Sequence, residues 1–317
     1  YYKTTKDMLL AAPMPIYMGY ASNTYTNIGE ANNRGIEMNL EWRDKTESGF
    51  EYNVGVNMST IRNRMTKLNG GTPISDGPFR NGSMYLTYTN EGMPIGAFWG
   101  YKTDGLIQTQ EQLNAVKRAD FQPNAELGDV LFVDTNGDGK LDSSDRCMIG
   151  NPIPDIIYGI NMGMAWKGFD LNLQFGGTIG NQIFNAMRYY TYFPNDITNK
   201  DRALMNYWTP NNTNTDIPRL TATDGNDNDR FSDMYVENGT YFRLRNAQLG
   251  YTLPASLTQR IKLQKVRFYV SGQNLFTISS YSGMDPEVGQ SSSLSRGIDY
   301  GIYPQNISFT GGINVTF

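Results

Sequence analysis

Apolar and polar side chains alternate along several segments of the chain, which is the period of a β-strand with two different faces. Segment 36–42 reads IEMNLEW, with Ile36, Met38, Leu40 and Trp42 on one face. The same alternation recurs at 50–58, 158–166, 169–175, 247–253, 266–270 and 306–317. The pattern predicts about eight to ten strands, each near the ~9–11 residues that cross a bilayer.

The connections between these strands alternate in length. Short turns are expected at 44–49, 167–168 and 254–263, and long excursions at 64–94, 176–239 and 279–304. Short turns at one end and long loops at the other are typical of a transmembrane β-barrel. We therefore predict an all-β, antiparallel barrel wall, and we treat residues 1–317 as one domain because no low-complexity linker divides them.

The composition favours this fold over a globular enzyme. Apolar residues make up 39% and aromatic residues 13%, with 21 Tyr and 33 Gly. A barrel wall needs apolar residues on alternate positions, aromatic girdles and a polar lumen. The alternative is a soluble β-sandwich with one wet face, although the polar positions carry Asn, Gln and Gly where a sandwich would carry more Lys and Glu.

Several function classes are excluded or disfavoured by what the sequence lacks. With no His, neither a Ser-His-Asp triad nor a His-ligated zinc is possible, and one Cys allows no intrachain disulfide. A net charge of −4 without a basic run argues against nucleic acid. No pair of carboxylates is singled out for glycosidase chemistry, so we expect no enzyme.

No apolar stretch approaches the ~18 residues of a transmembrane helix, and no signal peptide opens the chain. Because an exported barrel needs a signal, we expect further residues upstream of Tyr1.

Longer segments resemble one known family. These are NIGEANNRGIEMNLEW (27–42), GAFWGYKTDGLIQ (96–108), the run 128–185 that begins GDVLFVDTNGDGKLD, YFRLRNAQLGYTLP (241–254) and VRFYVSGQNLFT (266–277). In this order they resemble the C-terminal half of SusC/RagA-type TonB-dependent transporters, outer-membrane proteins of Bacteroidetes. The resemblance covers almost the whole chain.

The resemblance implies a barrel of about 22 strands with a plugged lumen. It also implies a SusD-like surface lipoprotein as partner, and TonB-driven uptake of an oligomeric nutrient, a glycan or a peptide. These 317 residues contain no plug and no TonB box, which we expect to lie N-terminal to Tyr1. Two alternatives stay open: a passive or structural barrel component without TonB coupling, and a soluble calcium-binding β module.

The segment DTNGDGKLDSSD, residues 134–145, has the spacing of an EF-hand-type calcium loop. Gly139 would allow the sharp turn. The expected Ca²⁺ ligands are side-chain oxygens and one backbone carbonyl, that of Lys140, from Asp134, Asn136, Asp138, Lys140, Asp142 and Asp145. Asp at the last position is shorter than the usual Glu, and the alternative is a solvated Asp/Asn/Gly turn. A bound ion would be structural.

The last predicted strand carries alternating apolar residues at Phe309, Ile313, Val315 and Phe317. A terminal Phe on such a strand resembles the signal read by the barrel-assembly machinery, since an open strand edge can be paired by another strand. The alternative is that any closing barrel strand needs this alternation.

Aromatic residues at Tyr189, Tyr190, Tyr192 and Trp208 are candidate substrate contacts, because aromatic faces stack on sugars. Alternatively they face the lipoprotein or anchor the barrel at the membrane surface. Arg243 and Arg245 share a strand, and we expect them to face the lumen and pair with carboxylates of the plug.

Overall fold

The computed structural model describes residues 1–12, 24–68, 73–193, 199–289 and 292–317. The strands in this part of the chain are β1 (Tyr2–Ala12), β2 (Thr24–Arg34), β3 (Glu37–Lys45), β4 (Glu51–Thr60), β5 (Arg62–Leu68), β6 (Ile74–Phe79), β7 (Met84–Thr89), β8 (Ala97–Gly100), β9 (Thr103–Leu106), β10 (Val130–Phe132), β11 (Cys147–Gly150), β12 (Ile156–Trp166), β13 (Phe169–Ile179), β14 (Gln182–Asn185), β15 (Val236–Asn238), β16 (Tyr241–Thr252), β17 (Lys265–Ser279), β18 (Ile298–Asp299) and β19 (Ser308–Thr316).

Helical structure is short and lies in the connections. The α-helices are α1 (Gln110–Arg118), α2 (Ala186–Tyr192) and α3 (Ala255–Thr258). Single 3₁₀ turns occur at Ser143–Asp145, Arg202–Asn206, Asp233–Tyr235 and Gln259–Ile261. No helix in the described residues is long and apolar enough to cross a membrane.

The long strands form one antiparallel wall in which chain neighbours pair. Seven strands follow the order β3, β4, β12, β13, β16, β17 and β19, and β1, β2 and β5 form a second sheet. Two strands run continuously from one sheet into the other, because β2 leads directly into β3 and β4 leads directly into β5. Together they form one paired ribbon. The register is unchanged across both junctions: Arg34 lies opposite Arg62 and Glu37 opposite Ser59. Side-chain alternation therefore continues from one sheet into the other.

The two faces of the wall differ in chemistry, as the sequence predicted. One row of directly paired residues is apolar and crosses five strands: Tyr52, Met164, Leu171, Leu249 and Val270. The adjacent row points to the opposite face and is polar or small: Asn53, Gly163, Asn172, Gln248, Ser271 and Thr310. Val270 is 59% exposed, which is expected of a face that contacts lipid rather than protein.

The short turns lie together at one end of the wall. Lys167 and Gly168 join β12 to β13 with φ values of 48° and 88°, the left-handed pair that a two-residue hairpin turn requires. The predicted tight turn is confirmed.

The connections at the other end pack into a structure of their own, which we call the loop assembly. It comprises the described residues between Leu68 and Ile156, between Ile179 and Tyr241, and between Ser279 and Ser308. Its sheets follow the orders β11-β8-β7-β6, β15-β14-β18 and β10-β9. The predicted excursion 64–94 was wrong in its bounds, since β5 extends to Leu68 and the wall resumes only at Ile156. Strands of two to six residues are too short to show a clear alternation in sequence.

A hydrophobic core joins the three parts of the loop assembly. Phe79 and Phe98 come from the first part, Phe184 and Tyr189 from the second, and Ile298 from the third. The ring centroids of Phe79 and Tyr189 lie 5.0 Å apart at nearly right angles. The loops are therefore held by apolar packing and form a folded cover at the long-loop end.

Candidate functional site

The polar face of the wall is the first candidate surface for a transported solute. Its central row is almost uncharged, with amide, hydroxyl and glycine positions. A Cβ placed on Gly163 would lie 2.2 Å from Oδ1 of Asn53, so the amide side chain lies directly over the glycine. Such a surface offers hydrogen-bond donors and acceptors without fixed charge.

Ion pairs lie on either side of this neutral row. Arg43 pairs with Glu41 and Lys45 with Glu51 on β3 and β4, and another pair spans β13 to β17. Arg267 of β17 donates hydrogen bonds from Nε and Nη2 to the two carboxylate oxygens of Asp170 of β13, at 2.9 and 2.5 Å. The guanidinium crosses Gly250 of the intervening strand, where a Cβ would lie 2.4 Å from Nη2. Glycine at this position leaves the space that the bidentate pair occupies.

Arg243 and Arg245 form what we call the arginine clamp. Nη2 of Arg243 donates to Oδ1 of Asp285 at 2.6 Å, and Nη1 donates to Oε2 of Glu287 at 2.7 Å. Nη2 of Arg245 reaches Oε1 of Glu287 at 3.0 Å. The expectation of plug carboxylates is corrected, because both arginines bind carboxylates of the chain's own loop before β18.

Asp285 receives further hydrogen bonds from the backbone. The N–H of Glu287 donates to it at 2.8 Å, and that of Gln305 donates at 3.1 Å. Burial pushes the pKa of Asp285 upward, but these N–H groups and Arg243 outweigh it and hold the pKa below its ordinary value. Asp285 is therefore ionised in the folded protein, and the clamp ties the loop before β19 to the wall.

A second polar network lies inside the loop assembly, and the sequence interpretation missed it. Asp129 is fully buried and accepts a hydrogen bond from Nε of Arg219 at 2.6 Å and one from Asn228 at 3.1 Å. The side chain of Gln122 bonds Asn226 at 2.8 Å. The dense run DGNDND at 224–229 was the available signal.

A small enclosed cavity adjoins this network. Arg188, Arg219, Asp224 and Tyr235 are among its lining residues, and its volume of about 20 Å³ suits one water molecule rather than a solute. Burial raises the pKa of Asp224.

The four aromatic residues predicted to contact substrate are buried or half-buried in the structure. Tyr189 is completely buried and donates a hydrogen bond to the backbone oxygen of Asp229 at 3.0 Å. Trp208 is 5% exposed and packs in the core beside Gly128. Tyr190 is half-buried against the Phe79 ring. Tyr189 and Trp208 differ from the sequence interpretation, since core residues present no face to a solute.

Tyr192 is the fourth of these residues, and it is half-buried. The Arg188 guanidinium lies 5.1 Å from its ring centroid and is itself paired with Asp216. The ring therefore supports a cation on the surface of the cavity described above.

The predicted calcium loop follows β10 and ends in the 3₁₀ turn Ser143–Asp145. Asp134 accepts hydrogen bonds from the N–H groups of Gly137 and Gly139 at 2.6 and 2.8 Å. These bonds, that of Gly139 first, hold the pKa of Asp134 below its ordinary value.

The remaining predicted ligands are also engaged in turns. Asp138 accepts from the N–H of Lys140, and Asn136 accepts from the N–H of Asp138. Asp142 caps the 3₁₀ turn, and Asp145 is fully buried and accepts from the N–H groups of Thr135 and Asp142. Within the described ranges, no three Cys, Asp or Glu side chains are grouped to hold a metal ion. Carboxylate oxygens keep further lone pairs, so calcium binding stays a prediction.

Phe309, Ile313 and Val315 lie on the outer face of β19, and Phe317 directly follows its last residue. Ile313 lies opposite Phe268 and Val315 opposite Val266. Phe309 is 78% and Phe317 83% exposed. Their exposure fits a lipid-facing strand, and the assembly role itself stays a prediction.

Comparison with known proteins explains this architecture. Residues 1–143 match the family model described as TonB dependent receptor-like, beta-barrel. TonB-dependent receptor P3 of Formosa agariphila is 37% identical over 99% of this chain and 31% of its own length. TonB-dependent receptor SusC of Bacteroides thetaiotaomicron is 26% identical over 100% of this chain and 29% of its own length.

The solved structure of the RagAB peptide transporter matches with a TM-score of 0.78 and 25% identity, over 100% of this chain and 32% of that one. The chain belongs to the TonB-dependent receptor β-barrel family. It spans about a third of the length of the relatives it matches. The family resemblance and the antiparallel barrel fold are confirmed. The relatives are receptors rather than enzymes, which agrees with the expectation of no enzymatic activity, and the family is one of outer-membrane proteins.

Proposed function

We propose that the protein containing this TonB-dependent receptor chain imports an oligomeric nutrient across the outer membrane. The observation that carries the proposal is the two-faced wall: an exposed apolar face and, one residue away along each strand, a polar face whose central row is uncharged. A solute path through lipid needs this arrangement. The relatives named SusC and the RagAB peptide transporter supply the class of reaction.

TonB and a SusD-like surface lipoprotein are the proposed partners. The names of the relatives support TonB coupling, and the two-component name RagAB supports a second protein. The barrel-assembly machinery is the proposed partner of β19 during biogenesis. Each of these belongs to the whole protein, of which this chain covers about a third.

The proposed substrate is a neutral oligomer, a glycan or a peptide. Amide and hydroxyl groups such as Asn172, Gln248 and Ser271 can bond sugar hydroxyls or peptide groups equally well. The relatives do not decide between a glycan and a peptide. RagAB is a peptide transporter, but this chain is only 25% identical to it, and the loops that contact a substrate differ most between relatives.

Uptake measurements in the native cell test the proposal. A deletion strain and its complemented parent are given labelled oligosaccharides and labelled oligopeptides, each with and without functional TonB. We expect one class to be taken up only when both the gene and TonB are present. Uptake that ignores the deletion would contradict an importer, and uptake that needs the gene but not TonB would favour a passive barrel.

Calcium remains a proposed structural ion of the loop 134–145. Its support is the ligand spacing together with the tight turns at Gly137 and Gly139, both of which have positive φ. A bound ion would fix this loop on the surface of the loop assembly.

A further inference from the structure

Three arginines lie together on the outer face of the wall, just beyond the apolar band at the long-loop end. Arg34 of β2 is directly opposite Arg62 of β5, and Arg64 lies two residues further along β5. By strand geometry, directly opposite Cβ atoms are about 5 Å apart and diagonal ones about 7–8 Å. We call Arg34, Arg62 and Arg64 the arginine patch.

The register places this patch on the lipid-facing side. Arg34 continues the row of Met38 and Ile36 at two-residue steps along one strand. Arg62 continues the row of Met58 and Thr60 along its partner, and the pairing register is unbroken between the rows. Ile36 is 67% exposed and is the last apolar residue of its row. At about 3.4 Å per residue, Arg34 stands roughly 7 Å beyond Ile36.

The opposite face of the same ribbon is covered by protein, so the arginine side chains point away from the protein core. Ala31 and Met65 are buried with Leu68 and Ile74 in a core beneath the loop assembly. The arginines occupy the alternate positions, and all three are exposed.

The charges of the patch are only partly balanced by the chain. Arg62 pairs with Asp155, whereas Arg34 and Arg64 have no ion-pair partner among the residues that the structure describes. Glu30 lies four positions along β2, away from the apolar band. Directly opposed like charges destabilise a sheet. Asp155 neutralises only one of the three arginines, so an anion beside Arg34 and Arg64 would stabilise the arrangement.

The geometry points to a binding site for a phosphorylated lipid headgroup in the outer leaflet. Guanidinium groups bind phosphate through paired hydrogen bonds, and lipid phosphates lie just beyond the apolar band. Tyr2, Asn32 and Thr66 line a shallow groove with the arginines and add hydroxyl and amide groups for a sugar-bearing headgroup. This inference rests on the proposed membrane location.

The test measures lipid binding by the intact protein extracted from outer membranes. Native mass spectrometry compares bis-phosphorylated lipid A, dephosphorylated lipid A and inorganic phosphate as probes. We expect a preference for the phosphorylated lipid that falls about tenfold or more in the double variant R34Q/R64Q, since charge-assisted hydrogen bonds are lost.

The matched control is K117Q/R118Q, which removes two exposed positive charges from the last turn of α1 and should leave the preference unchanged. An equal loss in both double variants, or no preference in the wild type, would overturn the inference. Displacement of the lipid by inorganic phosphate at equal concentration would assign the patch to a free anion and overturn the lipid source. A protein absent from the membrane fraction would defeat the proposed function instead.

Discussion

Arg243 donates a hydrogen bond to Asp285 at 2.6 Å, and the two side chains are only 2% and 5% exposed. This buried pair joins wall strand β16 to the loop that leads to β18. Replacing Arg243 by Met should destabilise the protein by about 3–5 kcal/mol, because removing one partner leaves the other charge buried. Heat-dependent gel mobility of the folded barrel measures the change.

Arg245→Met is the control for this prediction. Arg245 binds Glu287 as well, but its side chain is 42% exposed, and exposed pairs contribute about 0–1 kcal/mol. Equal destabilisation by the two substitutions would show that the buried pair has no special role.

Acid should loosen the same loop. The pKa of Asp285 is held below its ordinary value, so its contribution is fully present above about pH 4, the usual aspartate range. It is lost as the pH falls through the lower folded pKa. Proteolysis of residues 280–289 by an acid-active protease should therefore rise steeply below about pH 4 in the wild type.

The Asp285→Asn variant provides the comparison at each pH. It lacks the titrating carboxylate, so its cleavage should be high and nearly independent of pH. A wild type that stays protected at the lowest pH would contradict this role of Asp285.

Gly250 should be intolerant of a methyl group. In Gly250→Ala the new Cβ meets the Arg267 guanidinium at 2.4–2.6 Å, which displaces Arg267 from Asp170. The expected cost is about 1–3 kcal/mol, the usual range for overpacking.

Gly55→Ala is the matched control, because its Cβ has no neighbour nearer than 4.0 Å. This substitution should change stability by no more than about 0.5 kcal/mol. Urea unfolding in detergent compares the two variants. A Gly250→Ala barrel as stable as Gly55→Ala would refute the steric account.

Calcium should protect the segment 128–150 from protease if the loop binds it. Cleavage there is compared in chelator and in added Ca²⁺, with Asp134→Asn as the variant that weakens the ligand set. We expect slower cleavage with Ca²⁺ in the wild type and a smaller effect in the variant. Cleavage that ignores both chelator and calcium would remove the site.

Deletion of Phe317 should lower the amount of assembled barrel in the membrane. Phe317 is 83% exposed, so little packing within the chain is lost and the defect would lie in recognition during assembly. Phe317→Tyr keeps the terminal aromatic and should assemble normally. Normal membrane levels of the deletion would count against an assembly signal.

The wall could be predicted from sequence because the alternation of apolar and polar residues is visible within each strand. The alternation of Ile36, Met38 and Leu40 needs no knowledge of any partner strand. The tight turn at Lys167 and Gly168 was equally local.

The loop assembly could not be predicted in this way, because its contacts join distant parts of the chain. Phe79 and Tyr189 are 110 positions apart (189 − 79) and their rings touch. A tyrosine in a loop sequence gives no sign of whether its ring is buried or faces a solute. Likewise, the strand pattern predicted that Arg243 lies on the polar face, but it could not predict the partner. Asp285 lies in a different loop, more than 40 positions away in the sequence.

Fluorescence quenching of labelled single cysteines in intact outer membranes tests the two-faced wall most directly. Single cysteines replace Leu171, Asn172, Val270 and Ser271 in a background in which the free Cys147 is changed to serine. Each fluorophore-labelled variant is then exposed to a lipid-soluble and a water-soluble quencher. We predict that positions 171 and 270 respond to the lipid-soluble quencher, and positions 172 and 271 to the water-soluble one. Equal quenching of neighbouring positions by either reagent would contradict a membrane-spanning wall.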